Sequence, residues 1–337
     1  MFGATPPELA RLDREIDDFE ALAAGFAQLR GRFTQMSSGA FRGRLTVSVG
    51  RRLRIFRAVT NQTLRLDGEA DGETATFIPI TRSNEANLWQ GRRLDRGALL
   101  VKGSEIDFAP RTARDSETTA IVAPVGLLDR AASALSGGDA APDWTGWRAP
   151  SLDPAAFDCL ETALAGFLAA PEHRRVDPFA NDAEATVLRR LIDALTPPRT
   201  PGPRLELSAR TRLVARVREH LRDRLSEPVT AMELCETFGV SDRLLRLAFQ
   251  ETHGVGPMAF FRLLRMHQAR AALRAARGRD ASVAAILAAC GVTRPAAFAG
   301  AYARHFGERP SETLGVRGWR GVRAAARDAL MRRQAEG

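Results

Sequence analysis

The 337-residue chain predicts an α+β multidomain protein, with a β-rich N-terminal half and an all-α C-terminal half. Three observations carry that reading. Apolar residues between positions 35 and 125 alternate with polar ones and are punctuated by turn residues, as half-buried strands require. The stretch Pro197-Pro198-Arg199-Thr200-Pro201-Gly202-Pro203 then forms a stiff, extended linker that no helix can cross. Beyond it the apolar spacing changes to three and four, and one helix-turn-helix pattern occurs twice.

Residues 8–30 carry a stripe of Leu9, Leu12, Ile16, Phe19, Ala23 and Phe26 that predicts a helix. From Phe41 the period falls to two. Leu45, Val47 and Val49 alternate with polar neighbours, and the runs 53–59, 74–80, 99–101, 106–108 and 118–122 are strand-like. Gly50, Asp67-Gly68 and Asp71-Gly72 supply turns. Residues 137–150 read as a loop. Helical stripes return at 153–170 (Leu160, Leu164, Phe167, Leu168) and 181–195 (Val187, Leu188, Leu191, Ile192, Leu195). Such stripes ordinarily cover a domain's own core; a dimer interface is their other use, so a homodimer stays open.

After the linker, Leu213, Val217, Leu221 and Leu225 recur every four residues and give a supporting helix one buried face. Thr230-Ala231-Met232-Glu233 has the spacing of a capping box, so the next helix starts at Thr230. Gly239-Val240-Ser241 closes it with a tight turn and caps a second helix that ends at Gly254. Pro257 suits the first turn of a long helix through Ala276. Ser282 caps the following helix, Gly291-Val292-Thr293 repeats the turn, and the last long helix ends at Gly307 and Pro310. A glycine, an apolar residue and then Ser or Thr is the arrangement of a helix-turn-helix, whose second helix fits a DNA major groove.

The formal charge of +9 is unevenly placed. From Leu205 onward there are 23 Arg against 13 Asp and Glu, whereas residues 1–204 balance 26 Lys and Arg against 27 Asp and Glu. Confinement of the basic excess to the half with the repeated motif points to a polyanion. Cys159, Cys235 and Cys290 have neither zinc spacing nor the pattern of a disulfide framework, which fits a reducing cytoplasm. Neither a signal peptide nor a membrane-spanning apolar run is expected, so the reading is a soluble cytoplasmic protein with no membrane partner.

On the helix after Ser241, the residues Arg243, Arg246, Leu247 and Gln250 share one face, opposite Leu245, Ala248 and Phe249. That composition supplies guanidinium forks for guanine O6 and N7, an amide, and an apolar group able to touch a thymine methyl. Asp242, at the helix start, complements the dipole. The corresponding helix of the second copy offers Arg294, Pro295, Ala296, Ala299 and Gly300. Small side chains permit close backbone approach but carry no hydrogen-bonding code. The second copy is therefore expected to position the protein and the first to read bases. Ser241, Arg262, Arg265, Arg294 and Arg304 are the candidate phosphate contacts.

The stretch from Val229 to Leu314 resembles the DNA-binding domain of the AraC/XylS family of bacterial transcription regulators. The matches are Gly239-Val240-Ser241, Leu245, Phe249, Gly254, Gly256-Pro257-Met258, Leu264-Arg265, Ala269-Arg270, Ala289-Cys290-Gly291, Phe306-Gly307 and Pro310-Ser311. The resemblance implies seven helices, with two recognition helices joined by a long one. It implies contact with two successive major grooves from one side of double-stranded promoter DNA, and RNA polymerase as a further partner. It carries base reading to Arg243, Arg246 and Leu247, and to Pro295, Ala296, Ala299 and Gly300, where this sequence departs from the family's usual polar types. Phe41-Arg42-Gly43-Arg44-Leu45 and residues 55–62 resemble the sensor region of family members of the ethanolamine-utilisation regulator type, which is related to a small cupin-like β-barrel. On that likeness the chain divides into a β-rich sensor domain with an N-terminal helix over 1–145, taking an unidentified small-molecule effector, and a helical linker or dimerisation segment over 150–197. A Pro-rich linker over 198–204, a DNA-binding domain over 205–316 and a basic tail over 317–337 follow.

A cupin-like barrel also suits a catalytic metal, but residues 1–172 contain no histidine, so a two-His-one-carboxylate site there is impossible. The sequence has no nucleophile elbow, P-loop or dinucleotide fingerprint. The expectation is a regulator, an activator in sign, without catalytic residues, metal or cofactor. Trp89, Trp144 and Trp147 suit either an effector pocket or, more commonly, buried anchors. An architectural DNA-binding protein with little sequence preference is the alternative function.

Overall fold

The computed structural model describes residues 10–25, 31–50, 52–69, 71–89, 91–104, 109–136, 144–169, 178–195, 208–276 and 282–315. The chain opens with strand β1 (Ala10–Ile16), a short helix α1 (Glu20–Gly25) and strand β2 (Gly31–Gln35), where the spacing predicts one helix over 8–30. Leu12 and Ile16 are four residues apart, which is about one helical turn but also two full pleats of a strand. Pairing decides between them. β1 runs antiparallel to β3 (Gly43–Val49), with Leu12 opposite Val47, and Arg44 donates two hydrogen bonds to Asp13 across the pair.

Strands β4 (Arg54–Thr60), β5 (Leu64–Gly68), β6 (Thr74–Pro79), β7 (Leu99–Lys102) and β8 (Ser116–Pro124) follow. β4, β6, β7 and β8 coincide with the alternating runs at 53–59, 74–80, 99–101 and 118–122, whereas β5 matches none; the run at 106–108 lies outside the described residues, as do the linker at 197–203 and the tail at 317–337. Strand β9 (Trp147–Arg148) falls within the expected loop at 137–150, and helix α2 (Val125–Ser136) occupies a stretch to which the spacing assigns no element. Helices α3 (Pro154–Ala169) and α4 (Pro178–Leu195) stand where their stripes place them.

Seven strands form one antiparallel sheet in the order β1-β3-β4-β8-β6-β7-β9, and β2 pairs with β5 as a separate ribbon. Alternation puts Ile55, Phe77, Leu99, Val101 and Ile121 on one face and Val47, Phe56, Ile78, Leu100 and Val122 on the other. Both faces are covered, which is why Leu99-Leu100-Val101 is an unbroken apolar run. Leu160, Leu164, Phe167, Val187, Leu191 and Ile192 of α3 and α4 lie against the first face. The two stripes thus cover their own sheet, and dimerisation through them is corrected by that packing. Glu184 of α4 is buried, and its Oε1 accepts the N–H groups of Arg52 and Leu53 at 2.6 Å, tying the helix to the β3–β4 turn. Trp89, Trp144 and Trp147 are buried, and Trp144 donates to Asp129 at 3.0 Å, so all three belong to the core and its loops.

The C-terminal half is helical: α5 (Ala209–Asp223), α6 (Ala231–Phe238), α7 (Asp242–His253), α8 (Pro257–Ala275), α9 (Val283–Ala289), α10 (Pro295–Phe306) and α11 (Pro310–Gly315). The second face of the sheet, the β2–β5 ribbon and these helices contribute to one apolar core. Phe19, Leu22, Met36 and Phe41 share one apolar core with Val217, Leu221, Phe249, Phe260 and Phe306. No helix among the described residues is long and apolar enough to cross a membrane.

Candidate nucleic-acid interface

Local chemistry sets the helix ends. Thr230 Oγ1 accepts the Glu233 N–H at 3.2 Å, Ser241 Oγ accepts the Leu244 N–H at 3.2 Å, and Ser282 Oγ accepts the Ala285 N–H at 3.4 Å. Between α6 and α7, Gly239 takes φ 63° and the Val240 N–H returns to the Cys235 carbonyl at 3.0 Å. The roll of α7 is then fixed by burial. Leu245, Ala248 and Phe249 are fully buried, and a large apolar side chain removed from water contributes roughly 1.5–3 kcal/mol.

The opposite face of α7 is open. Arg243, Arg246, Leu247 and Gln250 are all exposed, as their spacing predicts. Arg246 Nε lies 2.7 Å from Asp242 Oδ2 one turn earlier, with both side chains in solvent. An exposed pair of that kind contributes only about 0.3–0.5 kcal/mol, so it yields easily to a stronger acceptor. Gln250 instead donates its amide to the Gly254 carbonyl at 3.2 Å, at the far end of the helix. Arg243, Arg246 and Leu247 are therefore the open set. The Ser241 hydroxyl accepts the cap bond and keeps its own proton to donate outward.

Helix α10 presents a different surface. Pro295 begins it without a side-chain cap from Arg294. Arg294, Pro295, Ala296 and Gly300 are exposed and Ala299 is half-buried. Its inner side is held by Tyr302, whose hydroxyl lies 2.8 Å from Thr313 Oγ1 and whose phenol burial raises to about 12.

The structure brings Arg262, Arg265, Arg294 and Arg304 together around one cleft of about 560 Å³ between α8 and α10, with Met36 and Ser38 on its wall. Arg262, Arg294 and Arg304 are exposed. Arg265 is not available in the same way. Its Nε donates to the Leu225 carbonyl at 2.7 Å, its Nη2 to the Glu227 carbonyl, and its guanidinium lies 4.3 Å over the Phe261 ring. The expectation of a phosphate contact is corrected by this geometry: Arg265 clamps α8 to the α5–α6 loop. No local signal distinguishes it from its neighbours, because its acceptors are backbone groups about 40 residues earlier. Sequence reasoning also leaves Met232 unremarked, although it stands 71% exposed on α6.

Residues 234–315 match the family described as a helix-turn-helix domain. A probable thc operon regulatory protein from Rhodococcus erythropolis is 33% identical over 96 residues, 28% of this chain and 29% of that protein. The C-terminal domain is of the AraC/XylS type. A probable AraC family transcriptional regulator from Rhodopseudomonas palustris is 34% identical over 31% of this chain and 94% of its own, with a TM-score of 0.28. ToxT from Vibrio cholerae is 7% identical over 91% of this chain and 98% of its own, with a TM-score of 0.29. This chain spans less than a third of the length of the Rhodococcus protein, and the matched family lies within the helical half.

Proposed function

We propose that the protein is a sequence-specific transcription regulator, an activator in sign. Its α6–α7 and α9–α10 pairs would act as two helix-turn-helix units in successive major grooves of promoter DNA. In that reading Arg243, Arg246 and Leu247 contact base edges, with Gln250 joining once its amide leaves Gly254. Ser241, Arg262 and Arg304 hold phosphates, and the surface of Arg294, Pro295, Ala296 and Ala299 approaches the second groove. The β-rich half is a cupin-like sensor that takes a small-molecule effector, and RNA polymerase is the partner on the DNA. A homodimer would use surfaces other than the α3 and α4 stripes, which their own sheet covers.

The observation that carries the reading is the two-sidedness of α7. One side is wholly buried and the other holds two exposed arginines and an exposed leucine, in an AraC/XylS-type domain with the basic excess of the chain. A titration at fixed salt against a selected duplex and a random one tests it; the regulator predicts a gap of about 10³ or more. Equal affinities favour an architectural protein, a reading that the proline, alanines and glycine exposed on α10 support.

A further inference from the structure

The β2–β5 ribbon touches α8 and α10 at one end and α5, the supporting helix of the first pair, at the other. At its Gln35 end, the Gln35 carbonyl accepts the ring N–H of His267 on α8 and of His305 on α10, each at 3.0 Å. The Gln35 amide returns a bond to the His305 carbonyl at 2.9 Å, and the Gly39 N–H donates to that same carbonyl at 3.0 Å. Gly307, at φ 76°, comes so close that a Cβ there would lie 2.7 Å from that of Ala40. This end seats on the second pair.

The far end seats on α5. Asp67, its side chain only 10% exposed, accepts Arg218 and Arg222 of α5 at 2.5 Å each, with Arg65 of its own strand at 3.0 Å. Helix α5 is in turn fixed to α7 through Arg210 and Glu251, 2.5 Å apart, and through the shared core of Val217, Leu221 and Phe249. Register puts Gln35 opposite Leu64 and Arg32 opposite Asp67, so the two seats are three residues apart, about 10 Å along the ribbon. The Gln35–His305 bonds are buried and the Asp67 bonds are charge-assisted and largely shielded from water, so both hold a geometry more tightly than exposed neutral contacts. Without the ribbon, the placement of α10 relative to α7 would rest on α8, whose Arg265 holds the α5–α6 loop, and on the close approach of Gly291 to Ser226 in that loop.

We propose that Gln35 and Asp67 are positioning residues, through which the β2–β5 ribbon fixes the separation of α7 and α10 and so selects the spacing between the two DNA subsites. Neither is placed to reach DNA: Gln35 is buried, and both carboxylate oxygens of Asp67, whose side chain is 10% exposed, are taken by arginines. The inference rests on the reading that both pairs contact DNA. It also gives the N-terminal half a direct mechanical route to promoter choice, because a shift of β2 against β5 moves one recognition surface relative to the other.

The test is competition binding by the full chain at fixed salt. The duplexes carry the selected sequence with the spacer between subsites unchanged, one base pair longer or one shorter. The wild type should discriminate against either change by about tenfold, the scale of one misplaced base pair. Asp67→Asn should reduce that discrimination to about threefold or less, while a base change under α7 costs what it costs the wild type. Asp67→Glu, which keeps the charge, should retain most of the spacing preference. Unchanged discrimination in Asp67→Asn, or an equal loss on every spacing, overturns the proposal. So does a wild type that distinguishes bases but not spacings, a result that needs no variant to fold. A wild type that distinguishes neither sinks the function proposed above instead.

Discussion

Arg246 and Arg265 show how surroundings decide what one residue type does. Both sit on helices of the same domain, but Arg265 is held by two carbonyls and an aromatic ring, whereas Arg246 meets one exposed carboxylate that it can exchange. Histidines give the same lesson in titration. Burial pushes His267 down to about 3 and holds His305 below its ordinary value of 6.5, even though the Gln35 carbonyl they share pulls the other way. The unfolded chain therefore binds protons near pH 6.5 that the folded chain refuses. Stability is full above that value and falls as pH drops below about 6.5, by up to about 1.4 kcal/mol per pH unit for each histidine, until the folded-state value of that histidine is passed, about 3 for His267. Burial would raise the Asp18 and Asp67 carboxyls, but their arginines outweigh it and hold both low, so they add loss only below about pH 4. The melting midpoint should be lower at pH 5.5 than at 7.5, and His267→Gln should flatten the difference. A midpoint independent of pH would contradict the neutral, buried pair.

At the scale of elements, the two turns that look alike in sequence are not equivalent. A Cβ on Gly239, at φ 63°, would meet open space, whereas one on Gly291, at φ 74°, would fall 2.4 Å from the Ser226 carbonyl oxygen. Gly239→Ala should cost about 1 kcal/mol, the ordinary strain of a left-handed alanine, and Gly291→Ala clearly more, since backbone must move. Denaturant midpoints compare the two; equal losses would mean that the α9–α10 turn does not press on the Ser226 loop. The glycines and serines that end these helices were legible, because caps and left-handed turns are local chemistry. The roll of α7 was legible for the same reason, since the positions of Leu245, Ala248 and Phe249 leave one side for Arg243 and Arg246. Residues 10–16 were not, because a four-residue spacing suits both a helix and a strand, and only the partner strand β3 distinguishes them. Ribbon strands β2 and β5 were not legible either: β2 has one large apolar residue, Phe33, and β5 has two, Leu64 and Leu66, too few to set a period.

The whole molecule depends on contacts that sequence order hides. Arg270 of α8 is buried between the Phe19 and Phe306 rings and bonded to Asp18, 252 residues away, at 3.0 Å, with Glu308 at 3.1 Å. Arg274 also reaches Asp18 and Glu20. Composition announced a basic C-terminal half, but not that four of its arginines, Arg218, Arg222, Arg270 and Arg274, face the N-terminal half instead of solvent. Arg270→Met should lower folding stability by about 1–3 kcal/mol, the cost of a buried acceptor losing one partner while Arg274 remains. A loss within error would show that the halves are not joined there.

The central claim is that α7 reads bases through its open arginines. The direct measurement is the affinity of the wild type and Arg246→Ala for a panel of duplexes in which each base pair of the selected site is changed singly, at one salt concentration. A loss of about 1–3 kcal/mol with preference relaxed at one base position is the predicted result. A uniform loss across the panel would make Arg246 a phosphate contact, and no loss would remove α7 from the interface.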